Sequence, residues 1–257
     1  MKVTSTLRLT KGRRCLQIGT LILSLSGFTG AAFAWGALDS AQSSSTIAPN
    51  PADKPHVSFH YEHPQLQPAK YTFVIFEDGR GEFHSEPSAT PPHDTLSYQT
   101  MAHPLDRPVQ LSKTAVEEIF STARAQRFFA VSCEDVKDKV AFQGTKQLSY
   151  AGPDGNGSCT YNWSKIAPIQ KVTTTFESIA FTLEVGRRLE VEHKHDRLAL
   201  DAELATLLSA AKDGRALEIQ TIQPILEEIS NDEAVLERAR SRARKLLGDD
   251  STTASLR

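Results

Sequence analysis

Apolar and polar positions begin to alternate at residue 57. Val57, Phe59 and Tyr61 are separated by Ser58 and His60, the period of two expected of a strand with one buried face. The apolar run at 71–76 and the run Gly81-Glu-Phe-His84 flank Glu77-Asp-Gly-Arg80. Asp-Gly between two such runs predicts a hairpin with a type I′ turn, which needs positive φ at both central positions. Residues 86–94 read as a loop, and 96–101 as a further strand. Val116, Ile119, Phe120 and Ala123 then recur at helical spacing. Ser112 or Thr114 is placed to cap that helix, and Thr114 and Glu117 have capping-box spacing. A second hairpin is predicted between 146–151 and 158–163, turning through 153–157, with Cys159, Tyr161 and Trp163 on one face.

From Pro168 the period is helical. Ile169, Val172, Phe176, Ile179 and Leu183 form one stripe, with Gly186 expected near its end. The polar stretch 190–196 separates it from a helix carrying Leu200, Leu204, Leu207, Leu208 and Ala211, stopped by Gly214. A third helix is predicted over 216–229. A fourth is opened by the capping box Ser230-Asn-Asp-Glu233, with Val235, Leu236, Ala239, Ala243 and Leu246 inward. Strands, one helix, more strands and then helices predict an α+β fold: an antiparallel sheet with a packed helix, followed by a C-terminal bundle of about four helices. The expected divisions are a sheet domain at 56–166 and a helical region at 167–248, packed on it or following it.

The residues before 56 read differently. Lys2, Arg8, Lys11, Arg13 and Arg14 precede a charge-free stretch from Cys15 to Leu38, which contains the A-x-A site Ala32-Phe33-Ala34 before Trp35. This order of basic, apolar and small residues predicts a bacterial-type export signal over 1–34, cut between Ala34 and Trp35. The alternative is an uncleaved anchor, since roughly 20 apolar residues span a bilayer; Gly19, Ser24, Ser26, Gly27 and Thr29 dilute the stretch and favour cutting. Residues 35–55 hold three prolines and few large apolar side chains, which predicts a disordered tether. Residues 249–257 read as a disordered tail.

Export changes the charge balance. Removing five of 29 Lys+Arg and none of 31 Asp+Glu leaves 24 cations against 31 anions, a net of −7. Such a field disfavours nucleic acid and anionic lipid, so membrane contact is expected only through an uncleaved signal segment. Two cysteines remain, Cys133 and Cys159, and an even count in an exported chain predicts a disulfide.

Residues 70–151 resemble a group of uncharacterised exported bacterial proteins. The likeness lies in YTFVIFEDGRGEF, a helix ending near Phe128-Phe129, and the later strand GTKQLSY; it implies no activity. Residues 215–247 resemble a single HEAT-like helical pair through Pro224 and the Asp232-x-x-Val235 opening, one pair where a solenoid needs about three.

Candidate chemistry is sparse. His56, His60, His63, His84, His93 and His103 crowd the N-terminal half, and His60 and His84 are placed to face the same way on neighbouring strands, where imidazoles suit Zn or Cu. Solvated surface histidines are the plainer account. His193-Lys-His195 has H-x-H spacing inside a charged link. Ser209-Ala-Ala-Lys212 matches S-x-x-K without its companion motifs. Arg238, Arg240, Arg242, Arg244 and Lys245 make the last helix basic, read as a solvated face favoured by the helix dipole or as a dock for an acidic partner. No catalytic or metal residue and no cofactor is assigned. The reading is a periplasmic or secreted protein, leaning non-enzymatic, that binds or scaffolds an envelope protein or polymer. Its alternatives are a hydrolase or metal-dependent enzyme with a dispersed site, and a membrane-anchored envelope domain.

Overall fold

A computed structural model describes residues 54–88, 103–134 and 140–248. The signal segment with Ala34 and Trp35, the tether up to residue 53, the strand expected at 96–101, His93 and the tail from 249 lie outside the described residues.

Six strands alternate in burial along their length: β1 His56–Glu62, β2 Lys70–Phe76, β3 Arg80–Glu86, β4 Leu105–Gln110, β5 Thr145–Gly152 and β6 Gly155–Tyr161. They pair antiparallel in the order β4-β3-β2-β1-β5-β6. The strand β1 is central because β2 to β4 meander away on one side, while helix α1, Lys113–Ala125, returns the chain to the other. Phe59 stands opposite Phe73 on β2 and Leu148 on β5, so the apolar set of every strand gathers on one face.

That face is covered by α1 and by α2, Ala167–His195, whose Phe176 ring stacks on Phe59 at 5.0 Å and meets Phe73 at 5.3 Å. Next come α3, Leu200–Lys212, a 3₁₀ turn at Ile219–Ile222, α4, Gln223–Asn231, and α5, Glu237–Leu246. One buried apolar cluster runs from Val57 to Ala243. The α+β class expected from the sequence is the one observed.

Several local expectations need correction. The β2–β3 connection has three residues, not a type I′ pair: Gly79 N–H bonds the Phe76 carbonyl at 2.9 Å, and only Gly79 has positive φ, at +83°. Asp78 lacks a positive φ, and its carboxylate accepts the Arg80 N–H at 3.0 Å, so the reversal is made at the single glycine. The β5–β6 turn is Pro153-Asp154 alone, and Gly155 and Gly157 belong to β6. Strand β4 went unread because Pro108 and its charges mask it, and it lies at a sheet edge, where proline is tolerated.

The helix α2 does not stop at Gly186 but continues to His195, 29 residues in all. A Cβ on Gly186 would sit 2.4 Å from the Ile222 side chain, so this glycine serves close packing, not termination. The third predicted helix is broken by Glu218 at φ +56°, and Pro224 opens α4 in place of sitting within a helix. Asp232 forms a turn with Ala234 and Val235, so α5 starts only at Glu237, and Leu236 is exposed.

The inner face of β6 carries glycine at 155 and 157, which leaves core to be covered. The segment after α1 fills it. Arg127, Phe128 and Phe129 all have left-handed φ, at 55°, 59° and 65°, a run that L-residues resist by roughly 1–2 kcal/mol each. The reversal lays Phe128 over Gly155, where a Cβ would come within 2.3 Å of its ring, and buries Phe129 completely. Cys133 then bonds Cys159 on β6 with the two Cα atoms 5.8 Å apart, as the even cysteine count predicts.

Candidate functional site

The outer face of the sheet takes the alternate residues. His60 and His84 both point there, as expected, but not from neighbouring strands. The register runs His60, Thr72, His84, Asp106 across β1, β2, β3 and β4, which places the histidines two strand spacings, about 10 Å, apart. That span is too wide for one zinc ion, and among the described residues no three metal-ligating side chains converge.

Each imidazole has its own partner. His60 Nδ1 lies 3.0 Å from Thr72 Oγ1, and burial lowers its pKa below the ordinary value. His84 Nδ1 lies 2.7 Å from Asp106 Oδ1, and that bond, with help from Glu86, raises its pKa. Glu86 is itself held 3.2 Å from Lys70 Nζ, which keeps its carboxyl below the usual range. The other histidines disperse. His56 faces Phe76 at 5.8 Å, His63 meets Phe142 at 5.2 Å, and His103 lends its carbonyl to Arg187. His193 is fixed to Asp232 at 2.9 Å on α2, and His195, two residues on, points elsewhere.

The remaining sequence candidates are structural or exposed. Ser209 and Lys212 lie exposed on the last turns of α3. On α5, Arg238 and Arg242 pair with Asp201 of α3, while Arg240 and Arg244 pair with Glu237. Arg238 and Arg242 thus tie α5 to α3, whereas Arg240 and Arg244 pair within α5 itself.

Two polar groups within the inner layer were missed by sequence reading. Ser85 Oγ donates to Glu184 at 2.6 Å, and Glu184 pairs with Arg187, whose other nitrogen donates to the His103 carbonyl at 2.8 Å. Lys146 is buried at the end of β5, donating to the carbonyls of Gln143 and Asn162 at 3.1 and 3.0 Å, with Glu177 at 3.7 Å. Desolvation lowers the Lys146 pKa and raises that of Glu177.

A cleft of about 560 Å³ lies between α1 and the β2–β3 turn, floored by Leu111, Val116 and Phe120. Its one guanidinium, Arg124, is already committed to Glu77 at 2.7 Å and Asp154 at 2.8 Å. It ties three elements together and leaves the cleft without an unpaired anchor.

The outer sheet face, which no element covers among the described residues, differs. Its charges gather on β3 and β4 and at the Glu62–Lys70 end. Over β1, β5 and β6 the middle rows carry no carboxylate, lysine or arginine: Thr160, Gln147 and His60 in one row, Ser158, Ser149 and Ser58 in the next. This alternation is legible in TKQLSYAG and GNGSCTY, but only the register shows that the two strands extend the surface of β1. Compared with models of known protein families and with curated sequences, the chain matches none.

Proposed function

We propose that this is an exported envelope protein that binds or scaffolds another component and does not catalyse. The observation that carries this reading is the asymmetry of the sheet. One face is filled by α1 and α2, and among the described residues no element covers the other, which over β5 and β6 carries mainly small polar side chains. An antiparallel sheet needs only one buried face to be stable, so the second is available for display. The Cys133–Cys159 bond supports export, because such bonds persist in oxidising compartments. The histidine and arginine clusters support binding over catalysis, since each is engaged by an internal partner, as in His84–Asp106 and Arg124–Glu77.

The test is expression of the full chain in a bacterial host, followed by fractionation and intact mass with and without reductant. The expected product begins at Trp35, gains a pair of hydrogens on reduction, and sediments saturably with washed envelopes. Cytoplasmic retention with free thiols would overturn export. Hydrolase turnover abolished by His60→Ala or His84→Ala would replace binding with catalysis.

A further inference from the structure

The turn into β6 and the first half of that strand read Asp154-Gly-Asn156-Gly-Ser158. Asn-x-Ser is the acceptor pattern for N-linked oligosaccharide in exported chains. Bacterial transferases ask in addition for an acidic residue two before the asparagine, and Asp154 stands there. A second acceptor triplet, Asn162-Trp-Ser164, has Thr160 at that place.

The fold separates the two asparagines. Asn162 is a structural part of the end of β6. Its Oδ1 accepts the Gln143 N–H at 2.6 Å, and its amide donates to the Ala141 carbonyl at 3.1 Å. Ser164 is buried, and its Oγ accepts the Ile166 N–H at 3.2 Å. Asn156 is the reverse: it is exposed, stands opposite Ala151 on the outer face, and among the described residues nothing bonds its amide. Ser158 is exposed on the same face, about 6.8 Å along the strand. Packing accounts for the glycines around them, since a Cβ at 155 would meet the Phe128 ring at 2.3 Å and one at 157 the Phe128 carbonyl at 2.6 Å. Among the described residues no contact accounts for Asn156 or Ser158.

The edges of the sheet supply a second observation. An edge strand exposes unpaired N–H and C=O groups, which charged side chains and proline ordinarily guard. Strand β4 carries Asp106, Arg107 and Pro108, whereas β6, at the opposite edge, has neither charge nor proline. A bulky, hydrated glycan at Asn156 supplies the missing guard.

We propose that Asn156 is the acceptor of an N-linked oligosaccharide added during export. Its amide nitrogen bonds to the anomeric carbon of a lipid-diphosphate-linked oligosaccharide. The bond from that carbon to the diphosphate oxygen breaks, and the lipid diphosphate leaves with the electron pair. The amide proton passes to a carboxylate of the transferase. Transfer falls on the emerging chain, before Arg124 at 2.8 Å and the Tyr150 hydroxyl engage Asp154, and the exposed position then tolerates the product. The inference rests on the export proposed above and goes beyond it.

The experiment expresses the full chain in a bacterial host supplied with such a transferase and its lipid-linked oligosaccharide. An exported protein of known acceptor competence is made in the same cells. Intact mass and lectin blotting are expected to show one oligosaccharide on a chain that begins at Trp35. Asn156→Gln and Ser158→Ala should each abolish it. Asp154→Ala should remove most of it, Asp154→Glu should retain it, and Asn162→Gln should leave it unchanged. Because Asn156 and Ser158 are exposed, their variants should keep the parent's disulfide and thermal midpoint, which separates lost transfer from lost folding. An unmodified chain beside a modified control overturns the assignment, as does a glycan that survives Asn156→Gln. In both cases a chain cut before Trp35 leaves export standing. A chain held in the cytoplasm removes export, and this inference with it.

Discussion

The carboxylate of Glu218 closes the N-terminus of α1 from 106 residues away: Oε2 accepts the Ser112 N–H at 2.5 Å, and Oε1 accepts the Ser112 hydroxyl at 2.7 Å. Ser112 Oγ in turn accepts the Ala115 N–H at 3.3 Å, so the cap of a helix on the sheet is held by the helical region. Glu218 is in the left-handed region at φ +56°, a conformation that costs about 1–2 kcal/mol for a residue with a Cβ.

Glu218→Ala should therefore lower unfolding free energy by about 1–2 kcal/mol, the usual worth of a cap with a charge-assisted bond. Glu218→Gly should lose less, because glycine adopts positive φ without strain. Urea unfolding compares the two. Equal losses would mean that the backbone at 218 is not strained, and no loss in either would remove the cap.

The left-handed run at 127–129 makes a prediction of opposite sign. Arg127 is exposed and has φ of +55°, so Arg127→Gly removes strain without removing packing and should stabilise by about 0.5–1 kcal/mol. Gly155→Ala drives a Cβ to 2.3 Å from the Phe128 ring and should cost about 1–3 kcal/mol. Replacing both Cys133 and Cys159 by serine should cost roughly 3–4 kcal/mol, from the loop they close in the unfolded chain. Limited proteolysis should then cut first within the strap at 127–134.

Where sequence reading succeeded and where it stopped has a physical pattern. Period-two alternation at Val57, Phe59 and Tyr61 and the stripe from Ile169 to Leu183 were legible because burial decides them locally. Gly186 and Pro224 were misread because their roles depend on Ile222 and on the break at Glu218, which are set by tertiary approach. The shared face of His60 and His84 was foreseen, but their separation was not, since only strand order inserts Thr72 between them. The polar platform was written into β5 and β6 as alternating Ser, Thr, Gln and Asn, yet nothing local says that β5 joins β1.

The two outward histidines should titrate on opposite sides of the ordinary value of 6.5. His84 is raised by its bond to Asp106, so its contribution to stability is complete below 6.5 and is lost as pH climbs through the folded value. His60 is lowered, chiefly by burial, so stability rises with pH between its folded value and 6.5. Both effects are small because the groups remain partly solvated. Imidazole NMR titration should show His60 deprotonating first as pH is raised. Asp106→Asn should bring His84 down toward 6.5 while leaving His60 in place. A single shared midpoint would contradict the separate pairings.

The Glu184–Arg187 pair carries the sharpest stability test. Both side chains are buried, at 3% and 6% residue exposure, against Ser85 at 1%. Glu184→Gln keeps the shape but strands the guanidinium without a counter-charge, and breaking a buried pair from one side costs about 3–5 kcal/mol. Replacing Glu184 by Leu, Arg187 by Met and Ser85 by Ala together removes every charge and the hydroxyl that served them. Desolvation then no longer opposes folding at this point, and the triple variant should recover most of the loss and equal or exceed the parent. Urea midpoints across the single, double and triple variants measure the coupling. If the triple variant stays as unstable as Glu184→Gln, the network anchors β3 to α2 by geometry that apolar packing cannot replace, and the His103 carbonyl, left without its donor, is the first place to look.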